Sequence, residues 1–155
     1  MNSNAGYSPV HADRFQPLPA SRAERWSLFT AGHAGYFPGL VGLVTEEVRL
    51  DYARMRMPFR PDLKQPAGLV HGGAIASLID TVVVPAIGGG YDEPRRYITI
   101  DMQIQYVGAL VDQDAIAEGW IVRRGRSVVF CRVEVFAASG DLVATGTLTY
   151  MVKPL

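Results

Sequence analysis

The sequence carries no excess charge of either sign: 15 Lys and Arg stand against 15 Asp and Glu, so the formal net charge is zero. Such a chain has no general attraction for nucleic acid or for an anionic membrane surface, and any anion it binds must be held by a local cluster. It has a single cysteine, Cys131. That excludes an internal disulfide and fits a reducing, cytoplasmic setting. Cys131 sits in the alternating apolar run Val129-Cys131-Val133-Val135, the setting of a small buried hydrophobe rather than a nucleophile. Cysteine and histidine do not cluster, so no metal site is expected. The start, Met1-Asn2-Ser3-Asn4, has neither the basic end nor the apolar stretch of a secretory leader. The most apolar run, Ala74 to Ile87, carries Asp80 and Pro85 and falls short of the ~20 residues a spanning helix needs. No repeat or low-complexity segment is present, and a soluble protein is expected.

What the sequence does have is enough apolar residues, nearly half of 155, to build one domain core. Residues 1–35 read as an arm with a short helix, and 36–155 as the main domain. Pro9, Pro17 and Pro19 mark the arm as extended. Ser21-Arg22-Ala23-Glu24 has the form of a capping box, and Gly32 is placed to stop the helix, which is expected from about Ser21 to Ala31. The arm either covers part of the sheet or lids a pocket. Residues 43–58 alternate, with Val48, Leu50 and Tyr52 on one side, and read as a strand.

The next element differs. Ile75, Leu78, Ile79, Val82, Val83 and Ala86 form a helical stripe, and the opposite face is small or apolar. A helix almost free of charge is a buried helix. Pro85 is expected to bend or terminate it, and Gly88-Gly89-Gly90 to end it. Four strand-like runs follow, over 97–107, 115–123, 127–136 and 142–152, joined by turns in the manner of an antiparallel meander. One antiparallel sheet curled around one apolar helix satisfies this order.

Two features carry chemistry. Gly68-Leu69-Val70-His71-Gly72-Gly73 precedes the buried helix, where free amides and the helix dipole can hold a carbonyl oxygen as negative charge develops on it. Two glycines at a tight helix entry would look the same. Asp80 is an acid in the middle of that helix, costly unless it is paired or useful. A satisfied ion pair is the alternative to a proton acceptor. His71 and Asp80 are nine residues apart, which is roughly 13 Å along the axis and on opposite sides of the helix. If Asp80 and the Gly72 amide act on one carbonyl, they come from two chains, as in a two-fold dimer with antiparallel helices.

Together, Gln65-Pro66-Ala67-Gly68-Leu69-Val70-His71-Gly72-Gly73, Asp80, Thr99-Ile100-Asp101-Met102 and Val122-Arg123-Arg124-Gly125-Arg126 resemble the hotdog-fold thioesterases of the phenylacetate-degradation (PaaI-like) type. The similarity covers roughly residues 40–153. The resemblance implies an α+β hotdog fold, about five to six strands wrapped around one long helix. It implies hydrolysis of an acyl-CoA thioester to free acid and coenzyme A, with no cofactor beyond the coenzyme A of the substrate. It implies a homodimer at least, and a homotetramer as in relatives. Gly72 would donate to the thioester oxygen, Gly73 would lie against the substrate, and Asp80 of the second chain would attack the carbonyl or activate water. Gln65 would lie near the thioester, His71 would hold the loop and Gln65, and Thr99 would place the water. Arg124, Gly125 and Arg126 would approach the coenzyme A nucleotide, where the planar guanidinium fork suits phosphate; an ordinary solvated hairpin tip is the plain alternative. Val84 stands where some thioesterases place a water-holding threonine, which favours the Thr99 branch. Two other readings remain: a hydratase or dehydratase on the same fold, and an acyl-CoA-binding module without catalysis.

Overall fold

The computed structural model describes residues 6–155, so the first residues, including those read for a leader, lie outside it. Three short helices, α1 (Ala20–Ser27), α2 (Phe29–Gly32) and α3 (Phe37–Val41), precede the strands β1 (Val44–Arg49) and β2 (Tyr52–Met57). The long helix α4 (Gly72–Gly88) follows, then β3 (Arg95–Tyr106), β4 (Ala115–Arg124), β5 (Val128–Ala137) and β6 (Leu142–Pro154). The six strands form one antiparallel sheet in the order β1-β2-β4-β5-β6-β3, curled around α4. This is the hotdog arrangement that the resemblance implies.

The stripe on α4 is the core: Ile75, Leu78, Ile79, Val82, Val83, Ala86 and Ile87 are all buried. The sheet approaches it closely because glycine faces it at two points. A Cβ on Gly119 would lie 2.9 Å from Val82 and 3.1 Å from Val83, and one on Gly146 2.8 Å from Ile79. Both are closer than ordinary packing allows. Ala74, Ser77, Asp80, Thr81 and Val84 stay partly exposed, so one strip of the helix is uncovered by its own sheet. Beside it β3 is an edge strand with Ile98, Ile100 and Met102 exposed.

Four expectations need correction. The strand expected over 43–58 is two strands: β1 and β2 pair through Arg49↔Tyr52, with Leu50 and Asp51 as the turn. Asp51 has φ +64°, a left-handed conformation that Asp tolerates better than most residues. The apolar alternation runs straight through the turn, so periodicity hides it. Second, the last four strands are not a simple meander. β4, β5 and β6 are, but β3 pairs with β6 from Arg95↔Pro154 to Tyr106↔Ala144. The connection from Val107 to Asp114 is longer than a tight hairpin and carries the chain across to β4.

Third, the helix expected over Ser21–Ala31 is broken at Leu28, and its cap is Pro19, with no side-chain capping bond. Ser21 lies inside the first turn, because Pro19 already sets an extended entry there. Gly32 ends α2 as expected. Fourth, of the two outcomes expected of Pro85, termination does not occur, and α4 continues to Gly88. A proline near a helix end removes only one main-chain bond, and Arg124 Nη1 caps the Ile87 carbonyl at 3.1 Å.

Of the two roles weighed for the N-terminal residues, the described ones take the first and cover part of the sheet. The arm covers the outer face of the sheet, where Ala12 and Phe15 pack with Tyr52 and Trp120. Beneath it Glu118 is fully buried. It accepts from the Tyr7 hydroxyl (2.6 Å), Val10 N–H (2.7 Å), His11 N–H (2.9 Å) and the Tyr52 hydroxyl (2.8 Å). Four donors satisfy the carboxylate, and their hydrogen bonds, acting against burial, leave its pKa below the ordinary carboxylate value. α1 then closes against the end of α4, where Trp26 lies so near Gly88 that no Cβ fits. No helix among the described residues is long and apolar enough to cross a membrane.

Candidate active site

The loop before α4 is pinned at several points. Lys64 bridges Val70, Gln65 N–H donates to the Leu69 carbonyl at 2.8 Å, and His71 N–H to the Leu63 carbonyl at 2.8 Å. Gly68 has φ +92°, which favours glycine. His71 is the N-cap of α4: its Nδ1 accepts from Gly73 N–H at 2.8 Å. The Gly73 amide is therefore used by the protein itself. The Gly72 N–H has no acceptor among the described residues. It is the free donor at the positive end of the helix. Tyr106 on β3 steadies this point by donating to the Gly72 carbonyl at 2.8 Å, and its ring lies 3.3 Å from where a Gly72 Cβ would sit.

Asp80 is partly exposed and forms no ion pair among the described residues of its own chain. Thr99 Oγ1 donates to Asp80 Oδ1 at 2.9 Å and the Tyr150 hydroxyl to the same oxygen at 2.5 Å. Tyr150 also donates to the Asp80 carbonyl at 2.7 Å. Oδ2 receives no hydrogen bond among the described residues. Thr99 and Tyr150 are paired across β3 and β6, and the register slips directly after them, between Thr99 and Asp101. A bulge of this kind re-aims the side chains next to it. Burial first, and then the adjacent Asp80 charge, push the Tyr150 hydroxyl above the ordinary phenol range, so it stays a proton donor.

The structure thus brings Asp80 and Thr99 together and adds Tyr150, which sequence reading missed. The alternation of β6 was the available signal: a tyrosine on its inward, buried face needs a partner for its hydroxyl. Gly72 and Asp80 lie about 12 Å apart along one helix, so one chain does not join them. Gln65 Oε1 accepts from Ala67 N–H at 2.7 Å. No hydrogen bond joins Gln65 to His71 among the described residues. Arg124 is committed elsewhere: it ion-pairs with Asp51, caps the Ile87 carbonyl at 3.1 Å and lies 4.9 Å from the Tyr91 ring centre. Gly125 makes the β4–β5 turn, its N–H donating to the Val128 carbonyl at 2.8 Å. Arg126 is exposed at the hairpin tip.

A cavity of about 450 Å³ opens beside α4. Its walls are Trp26, Leu28 and Phe29 from the N-terminal helices, Val84 from α4 and Tyr97 from β3. Val84 is one helical turn beyond Asp80, and Tyr97 is two residues before Thr99 on the same strand face.

The sequence matches the Thioesterase superfamily over residues 67–144. Conserved protein PA5202 from Pseudomonas aeruginosa is similar in structure, with a TM-score of 0.69 and 29% identity over 74% of this chain and 90% of that one. Thioesterase HI1161 from Haemophilus influenzae gives a TM-score of 0.70 at 20% identity, covering 74% of this chain and 80% of the other. The phenylacetic acid degradation protein PaaI from Thermus thermophilus gives 0.66 at 24% identity, covering 76% and 96%. The match takes in the Gly72 amide, Asp80 and Thr99, and leaves α1 and α2 outside it. Extending over half of its residues, that match shows that this chain belongs to the thioesterase superfamily.

Proposed function

We propose that this protein hydrolyses an acyl-CoA thioester at a site completed by two copies of the chain. The observation that carries the reading is Asp80: a carboxylate on a largely apolar helix, fixed through Oδ1 by Thr99 and Tyr150, with Oδ2 open. Two hydroxyl donors hold the carboxylate in one orientation, so its reactive oxygen is preorganised. The Gly72 amide of a second copy supplies the donor for the thioester oxygen. The half-exposed strip of α4 and the exposed apolar side chains of the β3 edge support a two-fold pairing that sets the two helices antiparallel.

In this reading water adds to the thioester carbonyl while Asp80 Oδ2 takes its proton. Negative charge on the carbonyl oxygen is held by the Gly72 N–H. The tetrahedral species collapses with rupture of the C–S bond, and the coenzyme A thiolate leaves and takes up the proton. Direct attack by Asp80 would instead pass through an anhydride, and single turnover in ¹⁸O-water separates the two by where the label appears. Coenzyme A enters as part of the substrate, and no further cofactor is required. Asp80→Asn is expected to keep the fold and acyl-CoA binding while lowering turnover about a hundredfold or more, the scale of a lost general base. Unchanged turnover would refute the assignment and favour a binding module.

A further inference from the structure

The face of β3 that meets α4 presents Thr99, Tyr97 and Arg95 in succession. Thr99 holds Asp80, while Tyr97 and Arg95 line the cavity. Successive residues on one face of a strand are about 6.6 Å apart. Of the residues that line the cavity, Tyr97 is therefore one step from Thr99 and Arg95 two steps, roughly 13 Å along the strand. The cavity walls are mostly aromatic and aliphatic, and no acid among the described residues lines it.

Three basic side chains border this space, and two are engaged. Arg25 donates to the Asp92 and Tyr91 carbonyls at 2.9 and 2.8 Å. His33 Nδ1 is 2.6 Å from the Phe29 carbonyl oxygen. Arg95 has neither a carboxylate nor a carbonyl partner among the described residues; its Nε is buried without an acceptor, and its Cζ lies 5.1 Å from the Tyr91 ring centre. A half-open, largely apolar cavity with this guanidinium on its lining, two strand steps from the threonine that holds the acid, fits a ligand with an apolar body and an anionic tail. Part of its lining comes from α1 and α2, which precede the matched family segment.

We propose that this cavity takes the acyl group, and that Arg95 selects acyl groups ending in a carboxylate, the half-thioesters of dicarboxylic acids. The proposal rests on the thioesterase reading for its carbonyl end. Arg95 is a specificity residue and touches the tail of the substrate, not the reacting atoms. The spacing favours a medium-length tail over a short one, because a short diacid does not reach from Asp80 to Arg95.

The test compares suberoyl-CoA and succinyl-CoA with octanoyl-CoA on the full chain, in wild type, Arg95→Met and Arg95→Lys. In wild type suberoyl-CoA is expected to be the best of the three. Arg95→Met is expected to lower kcat/KM for suberoyl-CoA by roughly tenfold to a hundredfold, the range of one lost charge-assisted hydrogen bond. The loss should fall mainly in KM, leave octanoyl-CoA within about twofold, and be partly restored in Arg95→Lys. Equal losses on suberoyl-CoA and octanoyl-CoA would overturn the proposal. So would an effect that vanishes when suberoyl-pantetheine replaces suberoyl-CoA, since Arg95 would then be reading a coenzyme A phosphate. Calorimetric binding of free suberate, lost in Arg95→Met, tests the cavity without any turnover. If no thioester is hydrolysed and suberate still binds, the thioesterase reading fails and the anionic pocket stands; if neither occurs, both fail.

Discussion

The Tyr150 hydroxyl is shared between Asp80 Oδ1, at 2.5 Å, and the Asp80 carbonyl, at 2.7 Å, so one buried phenol fixes both the side chain and the main chain of the acid. Tyr150→Phe is expected to lower kcat by roughly tenfold, the effect of one hydrogen bond to a charged group, with KM little changed. Steady-state kinetics beside a thermal unfolding curve checks it. A fall in stability without a fall in kcat would make Tyr150 a packing residue only.

A shared site predicts complementation. A chain carrying Asp80→Asn keeps the Gly72 amide, and a chain carrying Gly72→Pro keeps Asp80 but loses the N–H. Mixed after unfolding and refolding together, the two inactive variants should recover about a quarter of wild-type activity, since half of the two-fold dimers are mixed and each holds one intact site of two. A site built within one chain would recover nothing.

The buried Glu118 gives a pH dependence. Its pKa is lower in the folded protein than in the unfolded chain, because hydrogen bonds from Tyr7, Val10, His11 and Tyr52 outweigh the opposing push of burial. Its contribution is fully present above the ordinary carboxylate value of 4.5 and is lost as pH falls through the lower, folded value. Glu118→Ala leaves several buried donors without an acceptor and should cost at least about 3 kcal/mol. Most of its effect should appear as release of the arm, read by proteolysis at residues 6–19. An acid unfolding profile unchanged in Glu118→Gln would contradict this.

Gly88→Ala sets two effects against each other. Alanine favours a helix over glycine by about 1 kcal/mol, but its Cβ would meet the Trp26 ring at 1.9 Å. Overpacking against a rigid ring costs up to about 3 kcal/mol, so a net loss of roughly 2 kcal/mol is expected in a denaturation experiment. A stabilised variant would mean that α1 moves freely away from α4.

Arg124 and Arg126 should separate. Arg124→Ala removes the pair with Asp51 and the cap on Ile87, and a loss of about 1–3 kcal/mol of stability is expected. Arg126→Ala should leave stability unchanged and raise KM for acyl-CoA if the exposed hairpin tip meets the nucleotide. Equal KM for coenzyme A and pantetheine thioesters in wild type would remove that role.

The legible parts of the fold were those written in local periodicity. The stripe from Ile75 to Ala86 gives α4, the glycines after it give its end, and the alternation of Ile98 to Tyr106 gives β3. The β1–β2 turn was not legible, because Leu50 and Asp51 continue the pattern of their neighbours and only the positive φ of Asp51 reverses the chain. At the site, Asp80 and the glycines announced themselves by being out of place in an apolar helix. Tyr150 and the commitment of Arg124 did not, since a tyrosine in a strand and an arginine at a hairpin are ordinary by themselves.

The sequence by itself determined that a nearly uncharged helix must be wrapped by strands, and that one acid and one bare helix entry stand out upon it. Tertiary structure alone decided that β3 passes beyond β6, so that Thr99 and Tyr150 meet over Asp80, and that Arg124 reaches Asp51 instead of solvent. The physical reason is that periodicity fixes which face of an element is buried, whereas the partner across that face depends on the path of the connecting chain, which no local pattern records.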